Sequence, residues 1–295
     1  MEHAVTKPTP PIRSASGKLE VHQIPAWKDN FIYLLVEVAT GRAAIIDGPE
    51  AEPAVAYAAH QGLELAAIFN THTHFDHVGI NQALADSGRL AGLTVVGPAR
   101  KSSDVPGLTR GVDDGDVVQW GGVEGRVMLT EGHIDGHVSY LFEDLLFCGD
   151  TLFAAGCGYL FDGPPAKMYE SLRRLRELDG ETKVLCAHEY TQDNLRFAWS
   201  VEPENDALAE RIREAWAVRA EGRATVPSSI GLERETNPFC RWDSEDLKRQ
   251  VARQSGRELD GPADVFAATR ALKDAKTYRE RSDDVLPLPP RGSDA

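Results

Sequence analysis

Between Thr71 and His77 the chain reads Thr-His-Thr-His-Phe-Asp-His, placing three imidazoles and one carboxylate within six positions. Imidazole nitrogen is the commonest metal ligand in proteins, and carboxylate oxygen suits the same divalent cations. The apolar run Leu65–Phe69 just before predicts a strand. If the chain leaves that strand extended, His72 and His74 point the same way. Asp76 and His77 then lie past the strand end, where a turn aims them at a neighbouring point. One segment could thereby serve two metal ions. A solvated polar loop is the bland alternative, and imidazoles at this density argue against it.

A two-metal centre takes about seven protein ligands, so further donors must come from elsewhere. Three element ends offer them. His137 follows Gly136 and precedes the apolar run Val138–Phe142; Asp150 follows Gly149 after Leu145–Cys148; His188 follows Ala187 after Lys183–Cys186. Glycine before Asp150 lets the chain turn close to an ion. Functional groups gather at such positions because the scaffold fixes them while the loop exposes them. His133, four residues before His137, reads as structural or as a support for a ligand, since the strand after His137 favours the latter. His3, His22 and His60 lack comparable surroundings and read as surface or packing residues.

The elements that position these groups are short apolar runs over residues 18–186, separated by turn-rich stretches such as Asp113-Asp114-Gly115-Asp116. Helical patterns intervene at 51–61, 79–87 and 166–178. Strand signals stop after Tyr190. Helices are expected at 206–220, 244–254 and 263–279, the second opened by Ser244 as N-cap. The expected organisation is a flexible N-terminus over 1–17, an α/β body over 18–190, a helical domain over 191–281 and a disordered tail over 282–295.

Composition narrows the setting. The 295 residues carry 32 basic and 46 acidic side chains, a formal charge of −14. That argues against bulk binding to nucleic acid or anionic membranes, yet leaves room for a locally positive site. No apolar stretch reaches the ~20 residues of a membrane span, and the N-terminus lacks a signal-like apolar segment. Cys148, Cys157, Cys186 and Cys240 form no CxxC pair and read as reduced thiols. A cytoplasmic protein is the expectation, with a monomer as the plausible state.

The order His72-Thr73-His74-Phe75-Asp76-His77, Gly136-His137, Gly149-Asp150 and Ala187-His188 resembles that of the metallo-β-lactamase superfamily. The resemblance implies an αββα sandwich in the α/β class with metals at one edge. It implies that His72, His74 and His137 hold one ion, that Asp76, His77 and His188 hold the second, and that Asp150 bridges them. Further segments are similar to the glyoxalase II (hydroxyacylglutathione hydrolase) family. They are Asp29-Asn30-Phe31, Gly149 to Gly158, Ala187-His188-Glu189-Tyr190-Thr191, Val201-Glu202-Pro203, Thr225-Val226-Pro227-Ser228, Asn237-Pro238-Phe239 and Arg270-Ala271-Leu272-Lys273-Asp274. They run through the helical C-terminal region, which relatives with other activities usually lack.

That narrower resemblance implies hydrolysis of S-D-lactoylglutathione to D-lactate and glutathione by hydroxide shared between two divalent ions, zinc first, with iron or manganese as alternatives. Asp76 and Asp150 would take catalytic roles. Tyr190, Arg270 and Lys273 would contact the glutathione, and the last two share one helix face at i and i+3. A departure stands at Tyr159, where the family usually carries Arg or Lys. A phenol brings no cation, so weaker binding of the anionic peptide is expected, by roughly 1–3 kcal/mol. Two rivals are another enzyme of the same fold, such as a one-iron sulfur dioxygenase or a hydrolase using a different thiol, and a metal-stabilised binding module. The first leaves Asp76, His77 and His188 without duties; the second predicts a closed coordination sphere.

Overall fold

Along Asn30–Glu37, Phe31, Tyr33 and Leu35 face one way and Ile32, Leu34 and Val36 the other, and both sets are buried. A strand apolar on both faces needs a layer on each side. In the computed structural model, which describes residues 3–289, the first set meets Phe69, Tyr140, Phe142 and Phe147 in the core between two sheets. The second set packs with Ala54, Ala58, Ile80 and Leu84 of two covering helices.

The first sheet has seven strands in sequence order: β1 (Ile12–Arg13), β2 (Leu19–Ala26), β3 (Asn30–Glu37), β4 (Arg42–Ile46), β5 (Glu64–Phe69), β6 (Thr94–Pro98) and β7 (Arg110–Val112). Pairing is antiparallel from β1 to β4 and parallel from β4 to β7. The second sheet contains β8 (Val117–Trp120), β9 (Val123–Leu129), β10 (Val138–Phe142) and β11 (Leu145–Gly149). A small hairpin of β12 (Leu152–Phe153) and β13 (Gly156–Cys157) follows, and β14 (Lys183–Cys186) and β15 (Ser228–Ser229) complete the sheet in the order β15-β14-β11-β10-β9-β8. Helices α1 (Glu52–Gln61) and α2 (Phe75–Asp86) cover the first sheet, and α3 (Pro165–Arg176) lies against the second, giving the αββα sandwich.

The remaining helices are α4 (Thr191–Val201), α5 (Asp206–Ala220), α6 (Ile230–Thr236), α7 (Glu245–Ser255) and α8 (Pro262–Asp274). Ser244 caps α7 by accepting from Leu247 N–H. Helix α8 stops earlier than its pattern suggests, because Lys276 turns left-handed at φ +58° and a 3-10 turn over Thr277–Glu280 follows. Helix α2 starts four residues before its expected position, so Asp76 and His77 occupy its first turn.

Both chain ends depart from expectation. The segment expected to be flexible over 1–17 buries Val5 and pairs Ile12 with Val21, and Ala15 N–H donates to Asp144. The expected disordered tail packs as far as it is described: Leu286 and Leu288 fill an apolar cluster with Leu195, Leu208 and Ile212, and Trp199 Nε1 donates to the Val285 carbonyl. Apolar residues between prolines had a hydrophobic groove to enter. Residues 1–2 and 290–295 lie outside the described residues. No described helix is long and apolar enough to cross a membrane.

Candidate metal centre

Four chain segments leave strand ends at the same edge of the sandwich. After β5, Asn70 and Thr71 lead into His72, and His74 is the extended residue that opens α2. After β11 the chain turns at Gly149, with φ +47°, into Asp150. A Cβ at Gly149 would lie 2.4 Å from Thr71 Oγ1 and 2.7 Å from His137 Nε2, so close packing as well as the left-handed backbone requires glycine here. The loop between β9 and β10 carries His133, and the exit of β14 carries His188.

The side chains converge in two groups. His72 Nε2 lies 3.2 Å from His74 Nδ1, and His133 Nε2 lies 2.9 Å from the same atom. Three imidazole nitrogens this close suit a shared cation, since ligands at ~2.0–2.1 Å from a tetrahedral ion sit about 3.3 Å apart. In the second group Asp76 Oδ2 is 3.6 Å from His77 Nε2 and 3.3 Å from His188 Nε2. Both groups have donor atoms within 4.8 Å of one another. Asp150 lies between them: Oδ1 is 3.5 Å from His77 Nε2 and 3.4 Å from His188 Nε2, while Oδ2 is 3.5 Å from His133 Nε2.

His137 does not join the first group, and the expectation that it does is corrected. The β9–β10 ladder continues past its formal ends, with Thr130 N–H donating to His137 O, so His137 is the last residue inside the sheet. Its ring is fully buried and both nitrogens are occupied. Nε2 accepts from Asp150 N–H at 3.2 Å, which leaves the proton on Nδ1 facing Thr130 and Thr151 hydroxyls at 3.0 and 3.2 Å. His133 takes the place instead, because the loop swings it to the open edge. Its Nδ1 donates to Tyr159 O, freeing Nε2.

Other side chains orient the donors. Asp47, after the apolar end of β4, accepts from Thr71 N–H at 2.8 Å, Thr71 Oγ1 at 2.6 Å and His77 Nδ1 at 2.9 Å. Asp29 Oδ1 holds His188 Nδ1 at 3.1 Å, and Asn30 Nδ2 donates to Asp76 Oδ2 at 3.0 Å. Such partners fix ring tautomer and orientation. Asp47 was missed in the sequence, although an acid directly after a buried strand was the same signal that marked Asp150.

The electrostatics suit cation binding. Burial, reinforced by neighbouring imidazoles, holds His72 well below its ordinary value; burial also lowers His74 and His133, although Asp150 opposes it there. Neutral imidazoles offer lone pairs. Burial alone would raise Asp76 and Asp150, yet the adjacent His188 and His77 hold both far below the carboxylate range. Burial would likewise lower His77 and His188, and the carboxylates around them, Asp150 foremost, raise both. The second group thus draws positive charge towards itself. His77 Nε2 and Asp150 Oδ1 are buried with no hydrogen-bond partner. Buried polar atoms left unpaired are costly, and a metal ion is the group that would satisfy both.

The remaining expected residues line two adjoining clefts. The cleft over the metal groups, about 470 Å³, is bounded by Phe75, Phe153, Tyr159, Phe161 and Tyr190 with the ligands as its floor. The second, about 550 Å³, shares Phe153, Tyr159 and Tyr190 and reaches Arg270 and Lys273 on α8. Tyr190 stacks on His188 with ring centroids 4.7 Å apart, so it stands where the two clefts meet. Arg270 and Lys273 do share a helix face, but both are buried and engaged. Arg270 pairs with Asp274 and reaches Cys157 O, while Lys273 Nζ donates to Asn194 Oδ1 at 2.7 Å. Burial pulls the Lys273 ammonium down to about 8. Tyr159 is half exposed.

Residues 27–188 match the family described as the metallo-beta-lactamase superfamily, and residues 189–276 match that described as the hydroxyacylglutathione hydrolase C-terminus. A hydroxyacylglutathione hydrolase of Gloeobacter violaceus is 48% identical over 86% of this chain and 98% of its own length. ETHE1 from Myxococcus xanthus superposes with a TM-score of 0.54 at 26% identity, covering 83% of this chain and 94% of the other. The BLEG-1 B3 metallo-beta-lactamase, at 21% identity and a TM-score of 0.56, shares the fold over 75% of this chain and 99% of its own. The order of the ligand segments, the helical C-terminal region and this likeness along almost the whole chain agree: the chain belongs to the hydroxyacylglutathione hydrolase family within the metallo-β-lactamase superfamily.

Proposed function

We propose that this chain hydrolyses 2-hydroxyacyl thioesters of glutathione, S-D-lactoylglutathione foremost, using two divalent ions. His72, His74 and His133 would hold one, Asp76, His77 and His188 the other, with Asp150 shared; zinc fits this donor set first, and iron or manganese are alternatives. The observation that carries the reading is Asp150, whose two oxygens face the two groups while Oδ1 lacks any hydrogen-bond donor. When bound, such ions supply an ionised water near neutral pH and polarise the thioester carbonyl.

The chain's own residues do the rest. Asp76, kept ionised and tied to Asn30, accepts a hydrogen bond from the attacking water and aligns it. Tyr190 and Phe153 separate the acyl cleft from the peptide cleft and so place the scissile carbonyl over the ligands. Arg270 and Lys273 supply cations at the far end for a peptide carboxylate. The thiol leaves as a thiolate of pKa about 8.5 and needs no general acid. Tyr159 donates one hydrogen bond where a basic residue would have added charge. A role in removing 2-oxoaldehyde adducts of glutathione follows from that substrate, because a 2-hydroxyacyl thioester is the isomer of the hemithioacetal a 2-oxoaldehyde forms with the thiol, and four free, buried thiols suit a reducing cytoplasm.

A one-iron dioxygenase is the second reading, since His72, His74 and His133, with Asp150 beside them, could hold a single ion by themselves. It leaves Asp76, His77 and His188 converging for no purpose. The purified protein is offered S-D-lactoylglutathione and glutathione persulfide in parallel, following thioester absorbance and oxygen uptake. Thioester loss without oxygen uptake is expected; the reverse overturns the proposal.

A further inference from the structure

The cleft beyond Tyr190 is positive inside an acidic protein, and most of its charge is already committed. Its lining sets Lys28, Arg219, Arg270, Lys273, Lys276 and Arg279 against the carboxylates of Asp29, Glu189, Asp193 and Asp274, so the cations are in modest excess. Arg270 pairs with Asp274 and Arg279 with Asp193; Arg219 donates to the carbonyls of Ala4 and Arg223, and Lys273 to Asn194. Lys28 and Lys276 differ. Both are exposed on the cleft wall, and neither ammonium has a hydrogen-bond acceptor or carboxylate partner among the described residues.

Their backbones are nevertheless fixed. Lys28 sits in the β2–β3 turn, between Trp27 at φ +51° and Asp29, which holds His188. Two backbone hydrogen bonds, Glu189 N–H to Asp29 O at 2.9 Å and Phe31 N–H to Ala187 O at 2.7 Å, fasten that turn to the strand exit bearing His188. Lys276 follows α8 in the left-handed conformation, and its carbonyl accepts from Arg279 N–H. Two uncommitted cations thus project from rigid positions into the cleft that Tyr159 lines without charge.

We propose that Lys28 and Lys276 are specificity-determining residues that read the carboxylates of the thiol carrier, supplying the charge that Tyr159 does not. This rests on the thioesterase reading for the identity of the carrier. Glutathione carries two carboxylates, and Arg270 with Lys273 can serve one of them. The uncommitted lysines serve the other, and their long flexible stems allow approach from opposite elements. Contacts of this kind act on binding and leave the chemical step untouched.

The test uses the metal-loaded protein and S-methylglutathione, which binds without being hydrolysed, titrated by calorimetry beside kinetics on S-D-lactoylglutathione. Each of Lys28→Ala and Lys276→Ala is expected to weaken binding about three- to five-fold, and the pair about ten-fold or more. Lys28→Arg should bind as wild type, and Tyr159→Arg should recover much of the loss in the double variant. Turnover at saturation should stay within about two-fold in the Lys28 and Lys276 variants, and the lactoyl thioester of N-acetylcysteamine, which has no carboxylate, should be indifferent to those lysine changes. Unchanged S-methylglutathione affinity in the double variant overturns the assignment, as does an equal loss for the carboxylate-free thioester. Failure of wild type to hydrolyse the lactoyl thioester overturns the thioesterase reading, whereas the binding comparison is read without turnover.

Discussion

His133 donates from Nδ1 to the carbonyl of Tyr159 at 2.7 Å, and that one bond turns Nε2 towards His74 and Asp150. Tyr159, which lines both clefts, therefore also sets the tautomer of a histidine in the first group. His133→Ala should remove about one metal ion per chain and lower turnover at least ~100-fold. His137→Ala should instead keep its metal and lose stability, about 1–3 kcal/mol, because Asp150 N–H loses its acceptor. Metal analysis and melting curves of the two variants separate these outcomes; loss of metal from His137→Ala alone would reverse the assignment.

Asp47 accepts three hydrogen bonds, from Thr71 and His77, while facing no open cleft. Its work is to orient His77. Asp47→Ala should weaken the second metal site about 10- to 100-fold with the first left intact. Competition with a chelator, followed by the number of ions retained, reads this directly.

Gly149 combines a left-handed backbone with contacts that admit no side chain. Gly149→Ala should lower the melting temperature by about 5–10 °C and most of the activity, since Asp150 follows it directly. An unaffected variant would mean that the turn into Asp150 is not constrained as described.

Burial lowers Lys273 to about 8, while Asp193 partly opposes the shift. For an anionic ligand the sign is definite: the ammonium binds below that pH, and as pH rises through it the charge and its attraction disappear. KM for the glutathione thioester should therefore rise between about pH 7.5 and 9.5, and the rise should vanish in Lys273→Met. A KM that is flat in wild type across this range would contradict the role given to Lys273.

Much of this was legible in the chain because the chemistry is concentrated at strand ends. His72, His74, Asp76 and His77 are contiguous, and Asp150 and His188 each follow a short apolar run. His137 misled because it too borders a strand; only the register shows that the ladder still includes it, so that its ring points inward with Ser139. Helix α4 was invisible because two positions of its buried face, Thr191 and Asn194, are polar, although Leu195, Phe197, Ala198 and Val201 are buried with them. The tail was read from its prolines, whereas Leu286 decided its placement. Local pattern thus marked most of the side chains that converge, and long-range register decided which histidine joins them.

The most direct test of the central claim is to strip the protein of metal, return ions stepwise and follow hydrolysis of S-D-lactoylglutathione. The account predicts negligible turnover in the stripped protein and recovery that is complete only near about two equivalents per chain. Asp150→Asn should fail to recover under the same titration. Full turnover in the stripped protein, or in metal-loaded Asp150→Asn, would contradict a shared two-metal centre as the source of the activity.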